Sequence, residues 1–102
     1  MGVIRLLLST VCRVSYRFID EVLRIINEMR GLEGYRRFFS KDVLNSEGRK
    51  RVEKIAKLTI EKCKRTKTYL VKVRKEPTYA NVMKYFEEVI RCLEELELSP
   101  WE

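Results

Sequence analysis

The sequence predicts an all-α fold, a compact bundle of three long helices plus one short helix. Three observations carry that prediction. Apolar residues recur at spacings of three and four over most of the chain, glycine and proline fall between the periodic segments, and 102 residues with 45% apolar content suit one modest core. Residues 1–102 are therefore read as a single helical domain.

From Arg13 to Arg30, the residues Val14, Phe18, Val22, Leu23, Ile25, Ile26 and Met29 trace an amphipathic helix that Gly31 stops. Upstream, VIRLLLSTVCRV fits either a continuation of this helix from about residue 3 or a buried strand, and we favour the helix. The stretch GLEGYRRFFSKDVLNSEG reads as a connection with a short helical piece around residues 35–44, and Ser46 as the N-cap of the next helix. That third helix runs to Lys75. Pro77 and Thr78 end it and open the last helix, Tyr79 to Leu96, with Val82, Phe86, Val89, Leu93 and Leu96 on one stripe. The tail LSPWE is non-helical, and Trp101 is expected to fold back over the bundle end.

An α+β alternative places strands near residues 3–8 and 68–74, because TYLVKVRK alternates apolar and polar. Interhelical register favours the helical reading. If the last two long helices form an antiparallel hairpin near Pro77, positions summing to about 155 face each other. Val73 then meets Val82, Thr66 meets Val89, Cys63 meets Cys92 and Thr59 meets Leu96, while Lys67 falls level with Glu88 and Lys62 near Glu94.

Charge is the strongest functional signal. The net charge is +7, yet residues 49–75 hold twelve basic side chains against two acidic ones, and residues 76–102 hold two basic against seven acidic. On the third helix Lys50, Lys54, Lys57, Lys64, Lys72 and Lys75 form one stripe opposite the apolar face, roughly 37 Å long at 1.5 Å per residue. Such a local excess repels itself unless an anion relieves it. The partner read from it is nucleic acid, DNA or RNA, held through phosphates with little sequence preference. The interleaved GYRRFFSKD adds Arg36 and Arg37 as phosphate contacts and Tyr35 as a stacking surface, whereas Phe38 and Phe39 read as plugs of the bundle end. The alternative is a protein-interaction module, an adaptor or oligomer subunit docking on an acidic protein, with a homo-oligomer among the assemblies allowed. Arg13, Arg17 and Arg24 share their helix face with Asp20, Glu21 and Glu28, so that face reads as merely solvated.

Other chemistry finds little support. The chain has no His, which removes the usual general base and the Ser/His and Cys/His nucleophile pairs, so no enzyme activity is expected. Cys12, Cys63 and Cys92 lack metal-ligand spacing and read as three small buried hydrophobes, with a Cys63–Cys92 disulfide as the lesser alternative. No glycine-rich phosphate loop is present, and no cofactor or metal is expected. Adjacent carboxylates at Glu87-Glu88 and Glu94-Glu95 point about 100° apart on a helix and suit ion pairing better than Mg²⁺. The absence of Gln and the presence of only three Asn resemble the amide avoidance of heat-adapted proteins. With the apolar run Leu6 to Cys12 too short to span a bilayer, a cytoplasmic protein away from membranes is expected.

Overall fold

A computed structural model describes residues 18–98. The helix through 18–29 (α1) is followed by α2 (Gly31–Phe38), a hairpin of β1 (Phe39–Ser40) and β2 (Val43–Leu44), and α3 (Ser46–Thr59). A 3-10 turn (Lys64–Thr66), α4 (Lys67–Lys75) and α5 (Tyr79–Leu98) complete it. The protein is mostly helical, and it differs from the expected three long helices at one decisive place. The third helix breaks, so α1, α3, α4 and α5 pack as four antiparallel helices with α2 and the hairpin across one end.

The directions follow from side-chain pairs. Glu21 meets Lys54 and Glu28 meets Arg51, so α1 runs against α3. Glu53 meets Arg74, so α3 runs against α4. Cys63 and Cys92 are bonded with their Cα atoms 5.9 Å apart, and α4 turns into α5 at Pro77. The core between the helices contains Val22, Ile26, Ile55, Val73, Phe86 and Val89, each at most 2% exposed.

Two buried threonines break the basic helix. Thr59 Oγ1 donates to Ile55 O at 2.8 Å, and its carbonyl accepts from both Lys62 N and Cys63 N. Back-bonding of this kind competes with continuation of the helix. Cys63 leaves the helical region (φ −125°, ψ 58°), and its carbonyl accepts from both the backbone N–H and the hydroxyl of Thr66, starting the 3-10 turn. The reversal occurs without Gly or Pro, which is why periodicity and breaker residues give no sign of it.

Residues 68–74 lie within α4, which excludes the strand of the α+β alternative at that site; residues 3–8, Cys12 and Trp101 lie outside the described residues. The 155 register holds at Cys63 and Cys92, and the preference for free thiols there is corrected: the two sulfurs are bonded. The expected helix at 35–44 is also corrected, since α2 starts at Gly31 and the chain is extended from Phe39. Gly31 takes φ +85°, a left-handed turn that lets α1 end and α2 begin at once. At Gly34, a Cβ would land on the Glu28 and Met29 carbonyl groups, so only glycine lets α2 pack this closely on the end of α1.

Asn45, not Ser46, caps α3. Its side-chain oxygen accepts from Gly48 N at 2.8 Å while its amide donates to Arg37 O at 2.8 Å. Asn81 works similarly at the head of α5, donating to Glu76 O. The hairpin is then sewn to the α4–α5 connection by Leu44 N to Pro77 O, Tyr79 N to Asp42 O and a bridge between Val43 and Thr78.

Both central residues of the hairpin turn are left-handed, Lys41 at φ 52° and Asp42 at φ 67°. A two-residue turn of this type favours Asn or Gly, and a lysine there is strained. Lys41→Asn should raise stability by about 0.5–1 kcal/mol in thermal or urea denaturation. For the disulfide, Cys63→Ala with Cys92→Ala should lower stability by about 3–4 kcal/mol, because the bond closes a loop of sequence separation 29. Unchanged urea midpoints with and without reductant would show that the bond contributes nothing to stability.

Candidate functional site

The broken helix redistributes every cation of the basic segment. Lys54 Nζ lies 2.9 Å from Glu21, Arg51 3.2 Å from Glu28, Arg65 2.9 Å from Glu95 and Arg74 2.8 Å from Glu53. Lys50 reaches Glu47 at 3.7 Å, a long and exposed contact of little consequence. The Glu21 carboxyl is held below its ordinary value by its hydrogen bond to Lys54, and that of Glu53 by its hydrogen bonds to Arg74. The reading of α1 as presenting a merely solvated face is therefore corrected: Glu21 and Glu28, one stripe seven residues apart, serve the basic segment as counter-charges. Spacing gives little sign of it, since Glu21 and Glu28 are seven residues apart and their partners Lys54 and Arg51 only three.

Of the expected stripe, Lys57, Lys64, Lys72 and Lys75 have no carboxylate within ion-pair distance among the described residues, and Lys54 is removed from it. A single 37 Å track is excluded, since the chain doubles back between Lys57 and Lys64. The remaining cationic surface is centred on α4. Its exposed residues are Lys67, Thr68, Val71, Lys72, Arg74 and Lys75, with no acidic side chain of its own. Between Glu61 and Glu76 the chain carries seven cations and no anion. The register argument levels Lys67 with Glu88 and Lys62 with Glu94. In the structure Glu88 takes Arg91 on its own helix and Glu95 takes Arg65, leaving Lys62 and Lys67 without carboxylate partners among the described residues.

The other expected residues lie elsewhere. Arg36 and Arg37 occupy the last turn of α2, where their charge complements the helix C-terminus. The Arg37 guanidinium sits 5.1 Å from the buried Phe38 ring and that of Arg51 at 5.6 Å. Tyr35 is not a free stacking surface. Its ring stacks on Phe39 with centroids 5.6 Å apart and meets Tyr79 edge-on at 5.1 Å, while its hydroxyl donates to Asp42 Oδ1 at 3.2 Å. Burial and the neighbouring Asp42 carboxylate raise its pKa. Together these contacts make Tyr35, Phe39 and Tyr79 the joint between α2, the hairpin and α5.

Recesses open at several places among the described residues. One of about 170 Å³ lies between α3 and α4, floored by Leu44, Val52, Val73 and Pro77 with Arg49 and the Glu53–Arg74 pair beside them. A second follows α5 past Met83, Phe86 and Ile90. A third, between α4 and α5, is lined by Arg65, Tyr69, Glu88, Arg91 and Glu95. Among the described residues there is no cluster of three or more His, Cys, Asp or Glu able to hold a metal, and no helix long and apolar enough to cross a membrane. No protein-family model matches the chain, and no curated protein or solved structure matches it either.

Tyr85, fully buried between α3, α4 and α5, supports this surface from beneath. Its hydroxyl has no hydrogen-bond partner of good geometry among the described residues; the Thr59 hydroxyl, which donates to Ile55 O, lies near enough to oppose slightly the effect of burial on its pKa. Burial pushes its pKa up to about 12. The fold thus favours the neutral hydroxyl, a contribution fully present below the ordinary value near 10 and lost as pH rises toward 12. Tyr85→Phe should raise stability at neutral pH by about 1 kcal/mol, since it deletes an unsatisfied buried group. It should also remove an alkaline stability loss of up to about 1.4 kcal/mol per pH unit, measured as the difference between urea unfolding series for the two proteins.

Proposed function

We propose that the protein binds nucleic acid through its phosphates, with little sequence preference, using Lys57, Lys64, Lys67, Lys72 and Lys75. The observation that carries this reading is the exposed face of α4, which presents Lys67, Lys72, Arg74 and Lys75 with no anion of its own and has Arg74 alone neutralised by a neighbouring helix. Uncompensated like charges on a nine-residue helix repel one another, and a polyanion relieves that repulsion while releasing its own counterions. Lysines suit this task because each is a point charge on a flexible stem that follows a backbone without reading bases. Lys50 and Lys54 are not included, the first being loosely paired and the second held by Glu21. Catalysis forms no part of this reading.

A second reading draws on Ile60 and Val71, exposed at 41% and 40%. Apolar side chains set among lysines also suit an acidic protein with apolar contacts of its own, so Val71 on α4 and Ile60 at the end of α3 support an adaptor or oligomer subunit.

Salt dependence separates the two. With about five phosphates neutralised, log affinity for duplex DNA against log salt should have a slope near −4 to −5, each contact contributing about −0.9. Lys67→Ala with Lys75→Ala should flatten that slope by about two and weaken all sequences alike. Lys54→Ala should leave it nearly unchanged. Titrations at low salt that detect no binding of duplex DNA, single-stranded DNA or RNA would reject nucleic acid and leave the acidic protein partner.

A further inference from the structure

We infer that the cleft between the 3-10 turn, α4 and α5 receives an unpaired base of a single-stranded nucleic acid on the ring of Tyr69, an inference that rests on the phosphate-binding reading above. The cleft has a volume of about 320 Å³ and is lined by Arg65, Tyr69, Glu88, Arg91 and Glu95. Tyr69 is half-buried and packed against the core, which fixes its ring, and no aromatic neighbour accompanies it among the described residues. The Lys72 ammonium stands over that ring, 6.0 Å from its centroid, and its flexible stem lets it give way to a base while staying beside it. A fixed aromatic ring beside a mobile cation combines the two elements that single-strand binding uses, a stacking platform and a phosphate contact.

The charges of the cleft fit the same occupant. Glu95 is paired with Arg65 at 2.9 Å and Glu88 lies 3.5 Å from Arg91, so each carboxylate of the cleft has a guanidinium beside it and the wall carries no net negative charge. Lys72 joins this wall to the cationic face of α4, and a strand whose phosphates lie along α4 passes the mouth of the cleft. Bases in a duplex are stacked and paired and do not enter a recess between two helices. An unpaired base does. Stacking tolerates any base, in keeping with a protein that has no base-reading motif.

The test is fluorescence anisotropy with three labelled probes of equal length: a single DNA strand, its duplex, and a strand of abasic residues carrying the same number of phosphates. The wild-type protein should bind the normal strand about tenfold or more tightly than the abasic strand. Tyr69→Ala should lose that advantage, Tyr69→Phe should keep it, and neither should change affinity for the abasic strand or the salt slope. Equal wild-type affinity for normal and abasic strands would overturn the inference, as would a folded Tyr69→Ala protein that binds the normal strand like wild type. Both results would leave phosphate binding intact. Failure to bind any of the three probes would reject phosphate binding and this inference together. Should Tyr69→Ala not fold, the wild-type comparison of normal with abasic strands decides alone.

Discussion

The ion pair between Glu53 and Arg74 joins two residues that a continuous helix would hold about 30 Å apart. Both nitrogens of the guanidinium fork are used, with Nε at 3.0 Å and Nη2 at 2.8 Å from the two carboxylate oxygens. At half exposure the pair contributes only about 1 kcal/mol, so it records the reversal of the chain more than it causes it. The cause lies in the turn between α3 and α4. Thr59 and Thr66, both buried, return their hydroxyls to local carbonyls, and Cys63 is tied to α5 through Cys92. Every functional statement about the basic segment depends on that turn, because it decides which lysines share a surface.

Folding the segment in two also resolves much of its self-repulsion. Extended as one helix, twelve cations would have met counter-charges along one flank alone. Folded, they lie between the acids of α1 and the acids of α5, and α3 supplies Glu53 to α4. The arginines take most of these partners, with Arg51, Arg65 and Arg74 all paired across helices. This division has a physical basis, since the planar guanidinium suits a fixed carboxylate while the strongly hydrated ammonium loses more on being held. Apart from Arg49, the cations of the segment left without a carboxylate among the described residues are lysines, and most of them lie on α4 and the turn before it.

Much of the fold is legible in the sequence. The periodicity of residues 18–29 and 79–96, the stop at Gly31 and the opposition of Cys63 to Cys92 all come from spacing, because helical faces repeat and antiparallel helices pair by constant sums. The break at Thr59 is not legible. Helix ends are recognised from Gly, Pro and cap residues, and LTIEKCKRT has no Gly or Pro and no capping residue that stands out. Its only local hint is a cluster of β-branched Thr59, Ile60 and Thr66 around a cysteine. The hairpin after Phe38 is hidden for a related reason, since Lys41-Asp42 is poor chemistry for a left-handed turn and is held there by Tyr35, Leu44 and Tyr79. Tyr35 misleads because a sequence shows an aromatic residue among arginines without showing that its ring is already engaged. Tyr69 draws no attention in the sequence because most of its surroundings come from α5, nineteen or more residues away.

The two ends of the bundle are held by different chemistry, and that difference bears on α4. At the Pro77 end the hairpin, Asn45 and Asn81 form a polar network of short hydrogen bonds, so two of the chain's three asparagines are retained where a cap or bridge needs an amide. At the other end the restraint is covalent, between Cys63 at the start of the 3-10 turn and Cys92 on α5. A helix of nine residues is too short to be stable by itself in water. Anchored shortly before its first turn and immediately after its last, α4 keeps its backbone fixed while its lysines remain free to move. Binding through such a helix loses little backbone entropy, and the side chains that must adapt to an irregular polyanion are the ones left unrestrained.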